Sequence, residues 1–283
     1  MNGGDDLESE DEYLNQDWHA NEDVEVVVDD TRKAEIERPP KKRNEPEIGE
    51  PDDEEIVVSK KSKPTKSPKN LLVEAGKGIA DADRDVQSAF LWTAFTHALK
   101  LKGEEIDAEK FTAENFVESK LINQQKYEKS MAKYLKSGVL SSMKRMKKWK
   151  AEKSPMVIIV CTSALRAVAI LKEISSLNIR AAKLFAKHMN VSDQVSMLDN
   201  NSYPIAVGTP NRLLKLIQME KDKNGDGALS LECTELIVID CIEDKKKFTV
   251  CTMNDTAPDM MQFIQEAVVP QLKKRKTIKF GMF

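Results

Sequence analysis

Apolar runs and amphipathic stripes alternate along the second half of the chain. Residues 156–161 (MVIIVC) form a continuous apolar run, as expected of a strand buried on both faces of a parallel sheet. Residues 164–177 read as a helix with Leu165, Val168, Ala169 and Leu171 turned inward. A second strand is predicted at 182–185, and a second helix at 192–199 with Ser192 as its cap. Residues 203–216 (YPIAVGTPNRLLKL) give a third strand at 205–207, a turn through Gly208, Thr209 and Pro210, and a helix from Asn211. A fourth strand at 236–240 (LIVID), a helix at 258–272 and a fifth strand at 277–282 complete the series. This order predicts an α/β fold, a parallel doubly wound sheet flanked by helices. Ligands of such sheets gather at the strands' carboxyl ends. Thr162, Ser163, Gly208, Thr209 and Asp240 are expected there.

The first half is patterned differently. Residues 87–101 carry Phe90, Leu91, Phe95, Ala98 and Leu99 at helical spacing, and Lys102-Gly103 ends that stretch. Ile106, Phe111, Phe116 and Val117 follow as further packing positions, with Asp107 and Thr112 as candidate caps. Residues 126–153 hold ten Lys+Arg against two Glu, including Lys144, Arg145, Lys147, Lys148 and Lys150. Tyr127, Met131, Tyr134, Leu135, Met143, Met146 and Trp149 interleave as the apolar side, predicting a basic amphipathic helix interrupted near Gly138. That pattern suits a phosphate backbone; a membrane surface, a calmodulin-like partner or plain solvation fits it too. Residues 1–70 are acidic, then Lys-rich, and are expected to be disordered. The basic clusters at 38–43 and 59–69 suit nuclear import, loose RNA contacts or a solvated linker. The expected organisation is therefore a tail over 1–70, a helical extension with a basic helix over 71–153, and the α/β lobe over 154–283.

Charge sharpens this division. The net charge of −3 hides 11 Lys+Arg against 21 Asp+Glu in residues 1–70, and 33 against 26 in the remainder. A basic folded part with an acidic appendage points to a nucleic-acid partner. Cys161, Cys233, Cys241 and Cys251 form no CxxC pair and read as reduced thiols of an intracellular protein, without a metal or a disulfide framework. No apolar run of transmembrane length or secretory leader is found, so no membrane role is expected. Residues 222–233 (DKNGDGALSLEC) imitate a calcium loop, but Cys233 stands where a bidentate Glu is needed, so a surface turn is expected. No GxxxxGK[ST] occurs, so nothing is expected to cradle nucleotide phosphates; no cofactor and no small-molecule substrate are anticipated.

The turn at Gly208, Thr209 and Pro210 is the strongest candidate contact. Gly permits a tight exit from the strand, the Thr hydroxyl can serve orphan amides, and Pro fits the first helical turn. A helix start with Arg212 beside it suits a phosphate; an ordinary strand-to-helix turn uses the same residues.

Thr209-Pro210-Asn211-Arg212 resembles the TPGR element of the first RecA-like lobe of DEAD-box RNA helicases, with Asn in place of Gly. Residues 161–165 (CTSAL) are similar to that lobe's PTREL element without its Arg. Residues 236–243 (LIVIDCIE) stand where LVLDEAD would be, with Asp240 at the first acid and Cys241 at the Glu that orients water. The resemblance implies RNA-backbone contacts for Thr162, Ser163, Thr209 and Arg212, on a single degenerate lobe without a partner lobe. More closely, residues 183–199 (KLFAKHMNVSDQVSMLD), VGTPNRL and the terminal KFGMF resemble the Cms-type ribosomal small-subunit homologue family. That resemblance implies a nuclear and nucleolar, non-catalytic factor of early small-subunit (90S) pre-ribosomes. Its implied partners are RNA (pre-ribosomal or small nucleolar) and assembly factors. The alternatives are a divergent ATP-dependent DEAD-box-like RNA helicase and a pure protein-interaction scaffold. The RNA-contact residues expected on these grounds are Thr162, Ser163, Gly208, Thr209, Pro210, Arg212, Lys144, Arg145, Lys147 and Lys148; no catalytic residue and no metal ligand are expected.

Overall fold

The computed structural model describes residues 68–102, 111–118, 130–139, 142–187, 189–219, 227–274 and 277–283. The acidic and Lys-rich leader, Ile106, Asp107, Tyr127, His188 and the calcium-like positions 222–226 lie outside the described residues.

Five strands form one sheet: β1 (Val157–Val160), β2 (Ala181–Leu184), β3 (Ile205–Gly208), β4 (Leu236–Ile239) and β5 (Lys279–Met282). Their spatial order is β2-β3-β1-β4-β5, and every pairing is parallel, with Val157 opposite both Ile205 and Leu236. All residues of β1, β3 and β4 are buried, so continuous apolar runs marked the strands between two layers. The fold is α/β and consistent with a RecA-like sheet.

The helices are α1 (Pro68–Gly76), α2 (Arg84–Leu99), α3 (Met131–Tyr134), α4 (Met143–Lys147), α5 (Ala164–Ile174), α6 (Val191–Asn200), α7 (Pro210–Gln218), α8 (Ala257–Phe263) and α9 (Val269–Lys274). Strand periodicity of two sorts the core into two layers. Ile158, Val160, Ala206, Ile237 and Ile239 pack with α2, α7 and α8 through Leu91, Leu213 and Met261. Val157, Ile159, Val207 and Val238 pack on the other face with α3, α4 and α5 through Met131, Met146 and Ile170. Each such aliphatic side chain contributes roughly 1.5–3 kcal/mol on burial.

Both sheet margins are partly covered. Beyond β5, Phe116 makes a parallel bridge to Phe280, and the Val117 amide donates to the Phe280 carbonyl at 2.8 Å. Outside β2, the fully buried Gln194 donates from Nε2 to the carbonyls of Lys183 (2.7 Å) and Phe185 (3.1 Å). Its Oε1 accepts from Arg212 at 2.6 Å.

Several sequence expectations change. In α5, Leu165 is 71% exposed and Val168 38%, whereas Ala167, Ile170, Leu171 and Ile174 are buried. Periodicity revealed an apolar stripe but not its phase, which Ser163 fixes by accepting from the Arg166 amide at 3.2 Å. Helix α6 starts at Val191 after Asn190, so Ser192 lies within the first turn and is not the cap. The basic segment is two short helices, α3 leading into a π-helical turn at Leu135–Val139 and then α4. Another π-helical turn, Ile264–Val268, separates α8 from α9.

Candidate nucleic-acid interface

The sequence-predicted contact residues fall at opposite ends of the sheet. Thr162, Ser163 and the 208–212 turn stand at the carboxyl ends; Lys144, Arg145, Lys147 and Lys148 stand beside the amino ends of β4 and β5. Strand polarity thus separates two groups that the sequence reading treated together.

At the carboxyl end, most of the expected donors are engaged inside the protein. Gly208 is buried, and its carbonyl accepts from the Cys161 amide at 3.0 Å. A Cβ there would lie 2.6 Å from the Leu184 carbonyl oxygen and 2.9 Å from Leu213 Cδ2, so close packing requires glycine. Pro210 is buried at the start of α7. Thr209 is half-buried; its amide donates to the Leu184 carbonyl at 3.1 Å, and its side chain makes no cap bond. Arg212 is 7% exposed and donates to Gln194 Oε1 and, at 3.1 Å, to the Met189 carbonyl. The expected phosphate fork is therefore an internal brace between α7 and the β2 margin, built on a side chain the fold has already desolvated. Thr162 is half-buried and Ser163 exposed, with the Ser163 oxygen used to cap α5.

The crevice between β1 and β4 is filled by an ion pair absent from the sequence reading. The chain leaves β1 into α5 on one face and leaves β4 toward α8 on the other, so a doubly wound sheet opens its ligand crevice here. Arg166 donates from Nε to Asp240 Oδ2 at 2.8 Å and from Nη2 to Oδ1 at 3.0 Å, a bidentate fork. Its Nη1 donates to Glu173 Oε1 at 3.2 Å, and Glu173 Oε2 accepts the Met131 amide at 2.8 Å. Asp240 is fully buried. Burial raises its carboxyl from the ordinary value, and the Arg166 guanidinium opposes that rise. Cys241 is also buried, with its thiol pushed well above the ordinary range by burial. One signal in the sequence pointed here: a lone acid ending the run LIVID requires a counter-charge, and Arg166 lies in the helix leaving the neighbouring strand.

At the amino end, α4 builds a basic wall. Ser142 caps it by accepting from the Arg145 amide at 3.3 Å, and Met146 is its one fully buried side chain. That anchor turns Lys144, Arg145 and Lys147 outward, with Lys148 and Lys150 exposed just beyond. The Trp149 indole N–H donates to the Ser154 carbonyl at 3.1 Å, holding a half-buried ring between these lysines. Ser154 Oγ accepts the Cys233 amide at 2.8 Å, and the amide of Glu235 donates to the Met156 carbonyl at 2.9 Å. Arg145 pairs with Glu235, immediately before β4, and so ties α4 to the sheet's lower rim.

Between wall and rim lies an open groove of about 1110 Å³, lined by Lys144, Arg145, Lys147, Lys148, Lys150 and Trp149. Cys233, Glu235 and Thr277 form its other side. Lys144, Lys147, Lys148 and Lys150 have no acidic partner among the described residues. Unpaired ammonium groups around a concave, low-dielectric surface focus positive potential on whatever enters.

No described helix is long and apolar enough to cross a membrane. Residues 30–282 match the family described as "CMS1: U3-containing 90S pre-ribosomal complex subunit". Protein CMSS1 of Xenopus laevis is 29% identical over 157 residues, 54% of each chain. Its Homo sapiens counterpart is 27% identical over 157 residues, 54% of this chain and 53% of the relative. Protein CMS1 of Chaetomium thermophilum is 35% identical over 118 residues, 40% and 44% of the two chains. The chain spans about half the length of the curated relatives it matches. A family match running through nearly all of the described residues establishes that the chain belongs to the CMS1 family of U3-containing 90S pre-ribosomal complex subunits.

Proposed function

We propose that this protein is a non-catalytic RNA-binding factor of early small-subunit (90S) pre-ribosomes, acting in the nucleolus. The observation that carries the reading is the groove beside α4, where exposed lysines surround a concave surface at the sheet's amino end. Family membership supplies the setting, and the groove supplies a surface that a ribose-phosphate chain can occupy.

The catalytic alternative, a divergent ATP-dependent helicase, is disfavoured by the carboxyl-end crevice. Asp240, which would organise a metal-bound phosphate, is held in a bidentate fork by Arg166, and Cys241 offers no carboxylate to a water. A cation supplied by the chain itself occupies the carboxylate's two acceptor oxygens. The scaffold alternative is favoured by one observation: Leu165 and Val168 on α5, and Ile242 after β4, are exposed apolar side chains at this end. In a factor that contacts RNA through its lower rim, the upper end remains available to a protein partner.

The test is RNA binding by the full chain and by a K144Q/K147Q/K148Q variant across a salt series. Loss of three phosphate contacts is expected to reduce the log–log salt slope by about 2 on single-stranded RNA. Asp240→Ala is expected to leave ATP turnover at background, as in the parent. An unchanged slope in the lysine variant removes the groove from the interface; RNA-stimulated ATP turnover lost on Asp240→Ala restores the helicase reading.

A further inference from the structure

We infer that the α4 groove takes single-stranded RNA, with one base stacked on Trp149, rather than a duplex. This deepens the RNA-binding reading and rests on it. Three features point the same way. Trp149 lines the groove, and its half-buried ring is packed against the core layer that holds Met146 while its indole N–H is tied to the Ser154 carbonyl at 3.1 Å, so the ring is oriented before any ligand arrives. Lys147 and Lys148 precede it and Lys150 follows, all exposed, so phosphates on both sides of a stacked base meet ammonium groups. Finally, α4 has five residues, roughly 7.5 Å of helix, too short to follow a duplex minor groove from one strand to the other.

The chemistry separates the two ligands. Paired bases in A-form RNA stack on one another and offer no free face, so a duplex can satisfy the lysines but not the indole. An unpaired base can satisfy both, and stacking on an aromatic ring tolerates any base because each has a π-face. The site is therefore expected to prefer unpaired loops or linkers with little sequence selectivity.

The experiment compares a 10-nucleotide unstructured RNA with a 16-base-pair RNA duplex, using the full chain, W149F and W149L. Expected results are tighter binding of the single strand and quenching of tryptophan emission that is lost in W149F. W149L is expected to weaken single-strand binding about tenfold or more, the loss of one stacked base, with an unchanged salt slope and unchanged duplex binding. W149F keeps a π-face and retains most of the affinity. Equal binding of strand and duplex, or quenching that persists in W149F, overturns the stacking inference while leaving RNA binding intact. Binding of neither RNA, with the lysine variant indistinguishable from its parent, overturns both. Should W149L fail to fold, the strand-over-duplex preference of the parent and the W149F quenching decide the matter.

Discussion

Replacing Arg166 by Met isolates the ion pair that fills the carboxyl-end crevice. The substitution keeps most of the side chain's apolar stem and removes the guanidinium that meets both Asp240 oxygens at 2.8 and 3.0 Å. What remains is a carboxylate with a 1% exposed side chain and no cation against it. Removing one partner of a buried pair costs about 3–5 kcal/mol, because the other charge is left desolvated. For a folded part of this size that is a fall in Tm of roughly 6–20 °C. Loss of the Glu173 contact also loosens the start of α3, whose Met131 amide Glu173 accepts.

The sign of the pH effect follows from burial. Asp240 already has a raised carboxyl pKa in the folded state, and losing Arg166 raises it further. Its destabilising contribution is therefore full above the folded-state value and is relieved as pH falls from that value toward the ordinary 3.8. The deficit of R166M against the parent should narrow as the solution is acidified toward the ordinary carboxylate range. A double variant, R166M/D240L, replaces the pair with apolar groups and should recover most of the loss, as buried pairs often exchange for hydrophobes at little cost. The assay is urea unfolding followed by circular dichroism for the parent, both single variants and the double. An R166M deficit below about 1 kcal/mol, or a double variant no better than R166M, refutes the reasoning.

Three further expectations use other parts of the fold. Gln194→Leu strips the cover from the Lys183 and Phe185 carbonyls and weakens the hold on Arg212; it should cost about 2–4 kcal/mol and speed amide exchange around Phe185. Ile170→Ala should cost about 2–4 kcal/mol in urea unfolding, while Leu165→Ser at a 71% exposed position should stay within about 0.5 kcal/mol of the parent. Maleimide labelling of the native chain read by mass spectrometry should modify Cys233 alone, since Cys161 and Cys251 are buried with thiols pushed up to about 12 and Cys241 is buried with them.

Strands β1, β3 and β4 were legible because each was a short apolar run with no competing period. VIIV, IAVG and LIVI stood between turn signals, and burial on both faces left no polar alternation to misread. Helix phase was less legible. The pairs Leu165/Val168 and Ala167/Ile170 are both spaced three apart, and only the capped start of α5 and the pull of Asp240 on Arg166 choose between them. The ion pair itself joins residues 74 positions apart, beyond any local pattern. The candidate site was half legible: the Lys-rich segment declared itself by charge, but its place at the sheet's amino end depends on Arg145 reaching Glu235 across 90 positions. Arg212 follows a Gly-Thr-Pro turn with the composition of a phosphate site, while its bond to Gln194, polar and unremarkable in sequence, lay beyond any local pattern.

The partly covered margins of the sheet bear on how the molecule meets other chains. With a glutamine amide on the Lys183 and Phe185 carbonyls, and a short extended piece of the chain bridged to Phe280 of β5, each flank offers fewer open groups for another polypeptide to zip onto. Such a sheet can resist strand-wise clumping at high concentration. Association then favours side-chain surfaces, which salt, charge and modification can tune, over backbone ladders that are slow to undo.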